Sequence, residues 1–230
     1  MNKIKTEKFQ FQATKSSGKV SAVLMLPEEP GYLLVLAHGA GAGMNHSFME
    51  LLSGKLAARN FAVFRYQFPY FEQGKRIPDP PNILAATVSS AVETASDKVK
   101  GLPVYAGGKS LGGRMTSTAA SKEALPNVRG IIFFGFPLHA PNKPSSDRAE
   151  HLFKVNIPML FLQGTRDKLA DLNLLKPVIK KLKEKASLQI LEGADHSFHV
   201  LKSSGKKDEQ IIEELADSSL NWVKEIEKIF

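Results

Sequence analysis

The chain has 230 residues, of which 43% are apolar and 23% are charged, and these proportions are typical of a globular protein with a large core. It contains no cysteine, which excludes disulfides, thiolate metal sites and cysteine nucleophiles, and it has no apolar run of the roughly 18 residues that a membrane span needs. The formal net charge of +8 favours weak, nonspecific adhesion to polyanions, but no recognisable nucleic-acid module accompanies the basic residues.

The N-terminal segment 1–19 carries lysines but alternates polar and apolar residues, so it lacks the continuous apolar stretch of a signal peptide. We therefore expect a cytoplasmic protein that forms a single domain over residues 1–230 and has no membrane and no specific nucleic-acid partner. A homo-oligomer is compatible with the sequence.

Short apolar runs alternate with amphipathic runs along most of the chain, which is typical of βα units in a mainly parallel sheet. The predicted strands, in chain order, are VSAVLMLP, YLLVLAH, FAVFRYQF, PVYAG, GIIFFGF, PMLFLQG and LQILEG. Helices are predicted where apolar residues recur at helical spacing: Phe48, Leu52 and Leu56; Leu84, Val88 and Val92; Ile211, Leu215, Trp222, Ile226 and Ile229. The sequence thus predicts an α/β fold with a mainly parallel sheet of about seven to eight strands and helices on both faces.

The segment GGKSLGGR, Gly107 to Arg114, directly follows the apolar run LPVYA and has two chemical interpretations. A phosphate-binding loop would need a glycine at the position of Pro103, so that interpretation fails. A G-x-S-x-G nucleophile elbow needs small residues two positions before and after the serine, and these are Gly108 and Gly112. We therefore predict Ser110 as a nucleophile, the remaining alternative being a glycine-rich turn without chemistry.

A serine hydroxyl needs a base to activate it and a carboxylate to orient that base. In folds with this elbow the partners follow in the order Ser, Asp or Glu, His, each after a later strand. Asp167 follows MLFLQG and His196 follows LQILEG, so we predict these as acid and base. Asp195 is the weaker candidate because it is the immediate neighbour of the histidine.

Asp195, His196 and His199 are also conceivable metal ligands, but no further cluster of ligand residues supports a metal site. We expect neither a metal nor a cofactor.

A second glycine-rich segment, HGAGAG, follows the strand YLLVLA. It fails the dinucleotide-binding pattern G-x-G-x-x-G in either register. In elbow-containing folds a loop at this place supplies one backbone N–H of the oxyanion hole, and the residue after the nucleophile supplies the other. We assign these donors to Ala40 and Leu111, and we interpret His38 and His46 as structural.

Together, HGAGAG, GGKSLGGR, QGTRD and GADHSF resemble the α/β-hydrolase superfamily over nearly the full chain. FPLHAP, at Phe136 to Pro141, and the run IPMLFLQGTRD that leads to Asp167 resemble its cap-less, dienelactone-hydrolase-like branch. That branch includes the testis-expressed hydrolase-like proteins and a regulatory subunit of the NSL histone acetyltransferase complex. Relatives tend to carry an acidic residue where this chain has Lys168, which alters the charge beside the acid.

The resemblance and the motifs together predict a carboxylesterase-like serine hydrolase of a small-molecule ester. The connection from Pro137 to Ile157 is too short for a multi-helix cap, which favours short acyl groups. Arg114 and His139 are candidate substrate contacts, but for Arg114 the preferred interpretation is a salt bridge that holds the FPLHAP loop. Because the branch contains complex subunits, a noncatalytic interaction module is the alternative function.

Overall fold

One eight-stranded sheet organises the fold in this computed structural model, which describes residues 3–230. The strands are β1 (Ile4–Thr14), β2 (Gly18–Pro27), β3 (Tyr32–Ala37), β4 (Phe61–Tyr66), β5 (Val104–Lys109), β6 (Val128–Phe134), β7 (Met159–Gly164) and β8 (Ala186–Leu191). They lie in the order β1-β2-β4-β3-β5-β6-β7-β8. The strands from β4 to β8 in this order pair in parallel, and β1 and β2 add an antiparallel edge. The predicted α/β class is confirmed.

Helices cover both faces of the sheet. They are α1 (Ser47–Ala57), α2 (Pro69–Glu72), α3 (Pro81–Lys98), α4 (Leu111–Lys122), α5 (Leu172–Leu182) and α6 (Asp208–Glu227). The apolar faces of α1 and α6 share one buried cluster, whereas α3, α4 and α5 pack on the opposite face of the sheet. In the part of the chain that the structure describes, no helix is long and apolar enough to cross a membrane.

Strand β1 is absent from the predicted strands. Its alternation of polar and apolar residues is the period of a strand with one buried face, and the same alternation distinguishes it from a signal peptide. The strand pairs with β2 along almost its whole length. Phe9 and Phe11 face inward and make edge contacts with Phe64, with ring centroids 5.6 and 5.8 Å apart.

The connection between β6 and β7 contains one short 3₁₀ helix, Asp147–Lys154, and no larger cap. This helix lies against α4, where Ser117 Oγ and His151 Nε2 are 2.8 Å apart. Burial lowers the pKa of His151 to about 4, so the ring is neutral at pH 7. The predicted loop with one short helix is confirmed.

The turn from β5 into α4 packs directly against the end of β3. A Cβ atom at Gly108 would lie 2.5 Å from the carbonyl oxygen of Ala37, and one at Gly112 would lie 2.4 Å from the same oxygen. These distances leave no room for any side chain. The two glycines that the sequence pattern required therefore permit a backbone-to-backbone contact.

We predict that Gly112→Ala lowers the free energy of unfolding by more than about 2 kcal/mol, because α4 and the end of β3 must separate. Gly54→Ala is the matched control, since Gly54 also lies in a helix but a Cβ there meets nothing within 4 Å. That variant should gain about 0.5–1 kcal/mol from helix propensity. Urea denaturation measures both, and equal stability of Gly112→Ala and wild type would contradict the contact.

Candidate active site

The predicted site residues lie where parallel strands end at one edge of the sheet. Ser110 follows β5, Asp167 follows β7 and His196 follows β8. The HGAGAG loop follows β3, and β3 is the neighbour of β5 in the sheet. Because parallel strands point their carboxyl ends the same way, residues distant in sequence meet at this edge.

Ser110 occupies a strained turn between β5 and α4, with φ of 52° and ψ of −114°. Such a conformation costs a non-glycine residue about 1–3 kcal/mol and is found where the surrounding structure enforces it. Here the enforcing contacts are the glycine packing against β3 and the bond from the Ser110 N–H to the carbonyl of Phe134, at 3.2 Å. The side chain is half-buried at the sheet edge. The backbone is that of a nucleophile elbow.

A continuous hydrogen-bond chain links the three predicted residues. His196 Nε2 is 2.8 Å from Ser110 Oγ, and His196 Nδ1 is 2.7 Å from Asp167 Oδ2. Serine and histidine are separated by 86 positions in the sequence. With Nδ1 protonated toward the carboxylate, Nε2 carries the lone pair that faces the hydroxyl.

Gln163 is a buried member of this network that the sequence analysis missed. Its Nε2 donates to Asp167 Oδ2, and its Oε1 accepts from the N–H of Phe136 at 3.0 Å. The other carboxylate oxygen, Oδ1, accepts from the N–H of Leu169 at 2.7 Å. Gln163 precedes Gly164 at the end of β7, so its position within the QGTRD motif was the available signal. These bonds fix the carboxylate in its orientation toward the histidine.

Asp195 has a different role in the structure. Its Oδ1 accepts from the N–H groups of Ser197 at 2.8 Å and His199 at 3.0 Å, which closes the turn that carries His196. It does not contact the imidazole, in agreement with the preference for Asp167. No three His, Cys, Asp or Glu side chains within residues 3–230 gather as metal ligands.

The HGAGAG loop brings its backbone next to Ser110. A Cβ at Gly39 would lie 3.8 Å from that of Ser110. Over residues 3–230, neither the Ala40 N–H nor the Leu111 N–H has a hydrogen-bond acceptor in the protein. Leu111 opens α4, whose N-terminal dipole also favours negative charge. The two groups predicted as oxyanion donors are therefore unpaired.

The two histidines near this loop lie in different surroundings, and His46 also lines a cavity beside Ser110. His38 is fully buried, with Nδ1 2.7 Å from the carbonyl of Gly39 and Nε2 3.0 Å from the N–H of Phe68. Burial lowers the pKa of His38 to about 4, so the ring is neutral at pH 7. His46 caps α1 by accepting from the N–H of Phe48 at 3.3 Å.

A cavity of about 300 Å³ opens beside Ser110 and His196. Its walls are largely apolar, and they come from the HGAGAG loop, the start of α1 and the segment after Asp167. The lining includes Ala40, Phe48, Met49, Leu169 and Ser197. Its volume is at the small end of the range for ligand pockets.

The two residues predicted as substrate contacts lie in different surroundings. His139 is 5% exposed, and its Nε2 accepts from the N–H of Asp171 at 3.0 Å while Nδ1 lies 2.9 Å from the carbonyl of Ala140. Both ring nitrogens are thus engaged in holding the loop, and neither is left to bind a substrate.

Arg114 is partly buried, and no carboxylate of residues 3–230 pairs with it, so the predicted salt bridge to the FPLHAP loop is wrong for the described chain. Its Nε is buried without a partner. Burial and the nearby positive charge of Arg148 lower the pKa of Arg114.

Comparisons with known proteins agree on the fold. The structure resembles the dienelactone hydrolase from Anabaena variabilis with a TM-score of 0.73 and 17% sequence identity, over 96% of this chain and 98% of that one. It also resembles a lidless α/β serine hydrolase from Xanthomonas campestris, with a TM-score of 0.75 and 16% identity over 95% of each chain. A cold-adapted esterase from an Arctic intertidal metagenomic library gives a TM-score of 0.68 and 14% identity, over 96% of this chain and 94% of that one.

The sequence also matches the family model described as the alpha/beta hydrolase domain over residues 30–224, which includes the elbow, the strand ends and most of α6. That match spans most of the chain and agrees with the sheet order and the Ser110 turn. The protein belongs to the α/β-hydrolase family.

Proposed function

We propose that the protein is a serine hydrolase that cleaves a carboxylic ester or a related small acyl substrate. The observation that carries the proposal is the hydrogen-bond chain from Ser110 Oγ through His196 to Asp167, with links of 2.8 and 2.7 Å. Both distances lie within the range that general-base activation of a hydroxyl needs.

In the proposed reaction, Ser110 Oγ attacks the substrate carbonyl carbon while its proton moves to His196 Nε2. Asp167 holds the ring tautomer and stabilises the imidazolium that forms. The Ala40 and Leu111 N–H groups donate to the negatively charged oxygen of the tetrahedral intermediate. The intermediate collapses, the alcohol leaves with the proton from Nε2, and water then releases the acid from the acyl-enzyme by the same steps.

The competing proposal is a noncatalytic interaction module that retains the hydrolase fold, as in some members of the branch that the sequence resembles. Two features favour the enzyme. A scaffold has no use for a strained serine at φ of 52°. Nor does it need two unpaired N–H groups beside a cavity of about 300 Å³.

Arg114 keeps a proposed part in substrate choice. Arg114 has no carboxylate partner within residues 3–230 and lies four residues after Ser110 on α4, outside the lining of the cavity, so it suits an acidic group that extends beyond the cavity. His139 has no such support, because both of its ring nitrogens are engaged.

We predict that Ser110→Ala abolishes labelling by a fluorophosphonate probe and lowers p-nitrophenyl acetate turnover by a factor of about 10³ or more, because the base then has no nucleophile to activate. Gel fluorescence and initial rates measure the two effects. Turnover in Ser110→Ala equal to that of wild type would contradict the mechanism, and an unlabelled, inactive wild type would favour the interaction module.

We predict that Asp167→Asn and Asp195→Asn separate the two acid candidates. An amide at position 167 favours the wrong histidine tautomer and should lower kcat by a factor of about 10³–10⁴. An amide at position 195 keeps the oxygen that closes the turn with Ser197 and His199, so its kcat should stay within about three-fold of wild type. The reverse order in measured kcat would identify Asp195 as the acid.

We predict a preference for short acyl groups. Each methylene gains about 0.8 kcal/mol only where protein covers it, and a cavity of about 300 Å³ without a cap covers few of them. Across p-nitrophenyl esters, kcat/KM should rise from acetate to butyrate and then flatten. A value still rising at the dodecanoate ester would contradict the open, short site.

A further inference from the structure

Lys109 is the residue of the elbow to which the sequence analysis gave no role. It ends β5 and directly precedes Ser110. Its Nζ donates to the backbone carbonyl of His196 at 2.6 Å. The same histidine therefore contacts two consecutive residues of the elbow, Ser110 through its ring and Lys109 through its backbone.

The ammonium group of Lys109 lies beside two aromatic rings and a glycine. Phe48 and Phe198 stack with ring centroids 5.6 Å apart, and the ammonium lies 6.0 Å from the first centroid and 5.4 Å from the second. Distances of this size allow a cation–π attraction. A side chain at Gly135 would come within 3.3 Å of Nζ and 3.6 Å of the His196 ring, so the glycine keeps this space open.

The loop that bears His196 is itself held under strain. Phe198 has φ of 65°, which is rare for a bulky residue and needs enforcing contacts. Asp195 closes the turn from within by accepting two N–H groups. Lys109 supplies a contact from outside the loop, and it comes from the strand that carries the nucleophile.

Burying the charged form of Lys109 at this position costs free energy of folding. Burial lowers its pKa from 10.5 to about 8, although the negative charges of Asp167 and Asp195 act in the opposite direction. Within the described chain it forms no ion pair, so its main polar partner is the His196 carbonyl. A methionine would fill similar space between the aromatic rings without the cost of burying a cation.

We propose that Lys109 is a positioning residue whose ammonium holds the His196 backbone, and with it the imidazole, at hydrogen-bond distance from Ser110. The inference rests on the proposed serine-hydrolase function. A charged donor to a carbonyl forms a bond about twice as strong as a neutral one. Loss of the charge therefore loosens the histidine loop while Ser110, His196 and Asp167 all remain. Because Lys109 also lines the cavity beside Ser110, kcat and KM must be measured separately to distinguish positioning from binding.

The test compares Lys109→Met and Lys109→Arg with wild type, and Lys168→Met is the matched control. Lys168 is an exposed lysine beside Asp167, so its loss changes the local charge but not the bond to His196. In Lys109→Met, kcat for p-nitrophenyl acetate should fall at least about ten-fold with KM within about two-fold, because misplaced catalytic groups lower the rate more than binding. Lys109→Arg should recover part of kcat, and Lys168→Met should retain it.

The pH dependence adds a readout that a purely structural contact would not move. As the pH rises through about 8, wild-type Lys109 loses its charge and kcat should decline. Lys109→Arg keeps its charge and should not show this decline. The charged and titratable groups that face position 109 are Asp167, Asp195 and His196, and they are the same in wild type and in both Lys109 variants.

As the pH rises through the lysine pKa, the stability of wild type should rise while its kcat falls. Folding lowers the lysine pKa, so between about pH 8 and 10.5 the unfolded chain holds a proton that the folded chain has released. Wild type therefore gains stability relative to Lys109→Met as the pH rises through this window. At pH 7, where the buried cation is present, Lys109→Met should melt no lower than wild type while its kcat is reduced.

Amide hydrogen exchange of residues 195–200 decides the proposal independently of turnover. Faster exchange in Lys109→Met than in Lys168→Met supports the contact, even if wild type proves inactive on esters and the proposed function fails. Unchanged kcat, pH profile and exchange in Lys109→Met would overturn it. A lower melting temperature with kcat and KM both altered would instead assign Lys109 a structural role.

Discussion

The contact between the end of β3 and the turn from β5 into α4 is the constraint on which the site depends. The carbonyl of Ala37 occupies the space where Gly108 and Gly112 would carry side chains, at 2.5 and 2.4 Å from the ideal Cβ positions. Backbone therefore packs on backbone, and the chain must turn sharply through Ser110. The same contact brings the HGAGAG loop alongside the serine, so one packing contact positions the proposed nucleophile and the two N–H groups that have no acceptor within residues 3–230.

The remaining site residues depend on the parallel order of the strands. Adjacent strands β5, β6, β7 and β8 end at one edge, and the loops after β5, β7 and β8 carry Ser110, Asp167 and His196. The loops are then joined by polar bonds: Gln163 joins the end of β7 to Phe136 and Asp167, and Lys109 joins the end of β5 to His196. Cross-loop bonds of this kind hold groups in place more firmly than a loop alone can, since isolated loops are mobile.

Burial gives the ionisable groups around the site different roles. His38 is neutral because its ring is fully buried between two backbone partners, which makes it part of the scaffold. Asp167 has both carboxylate oxygens occupied by donors and points one of them at His196. Lys109 is a largely buried cation without an ion pair in the described chain, and it lines the cavity beside Ser110. An uncompensated buried charge is costly, which marks this residue as a candidate for a role at the site.

The sequence by itself determined the strand-and-helix alternation, the elbow at Ser110 and the chain order of Ser110, Asp167 and His196. Each of these signals is local: apolar periodicity, the size of a glycine, or a residue directly after a strand. The pairing of β1 with β2, the two donors from Gln163 and Lys109, and the unpaired state of Arg114 were decided by the tertiary structure. They depend on which distant segments become neighbours in the folded chain. The local sequence around a side chain does not indicate which residue from another loop will bind it.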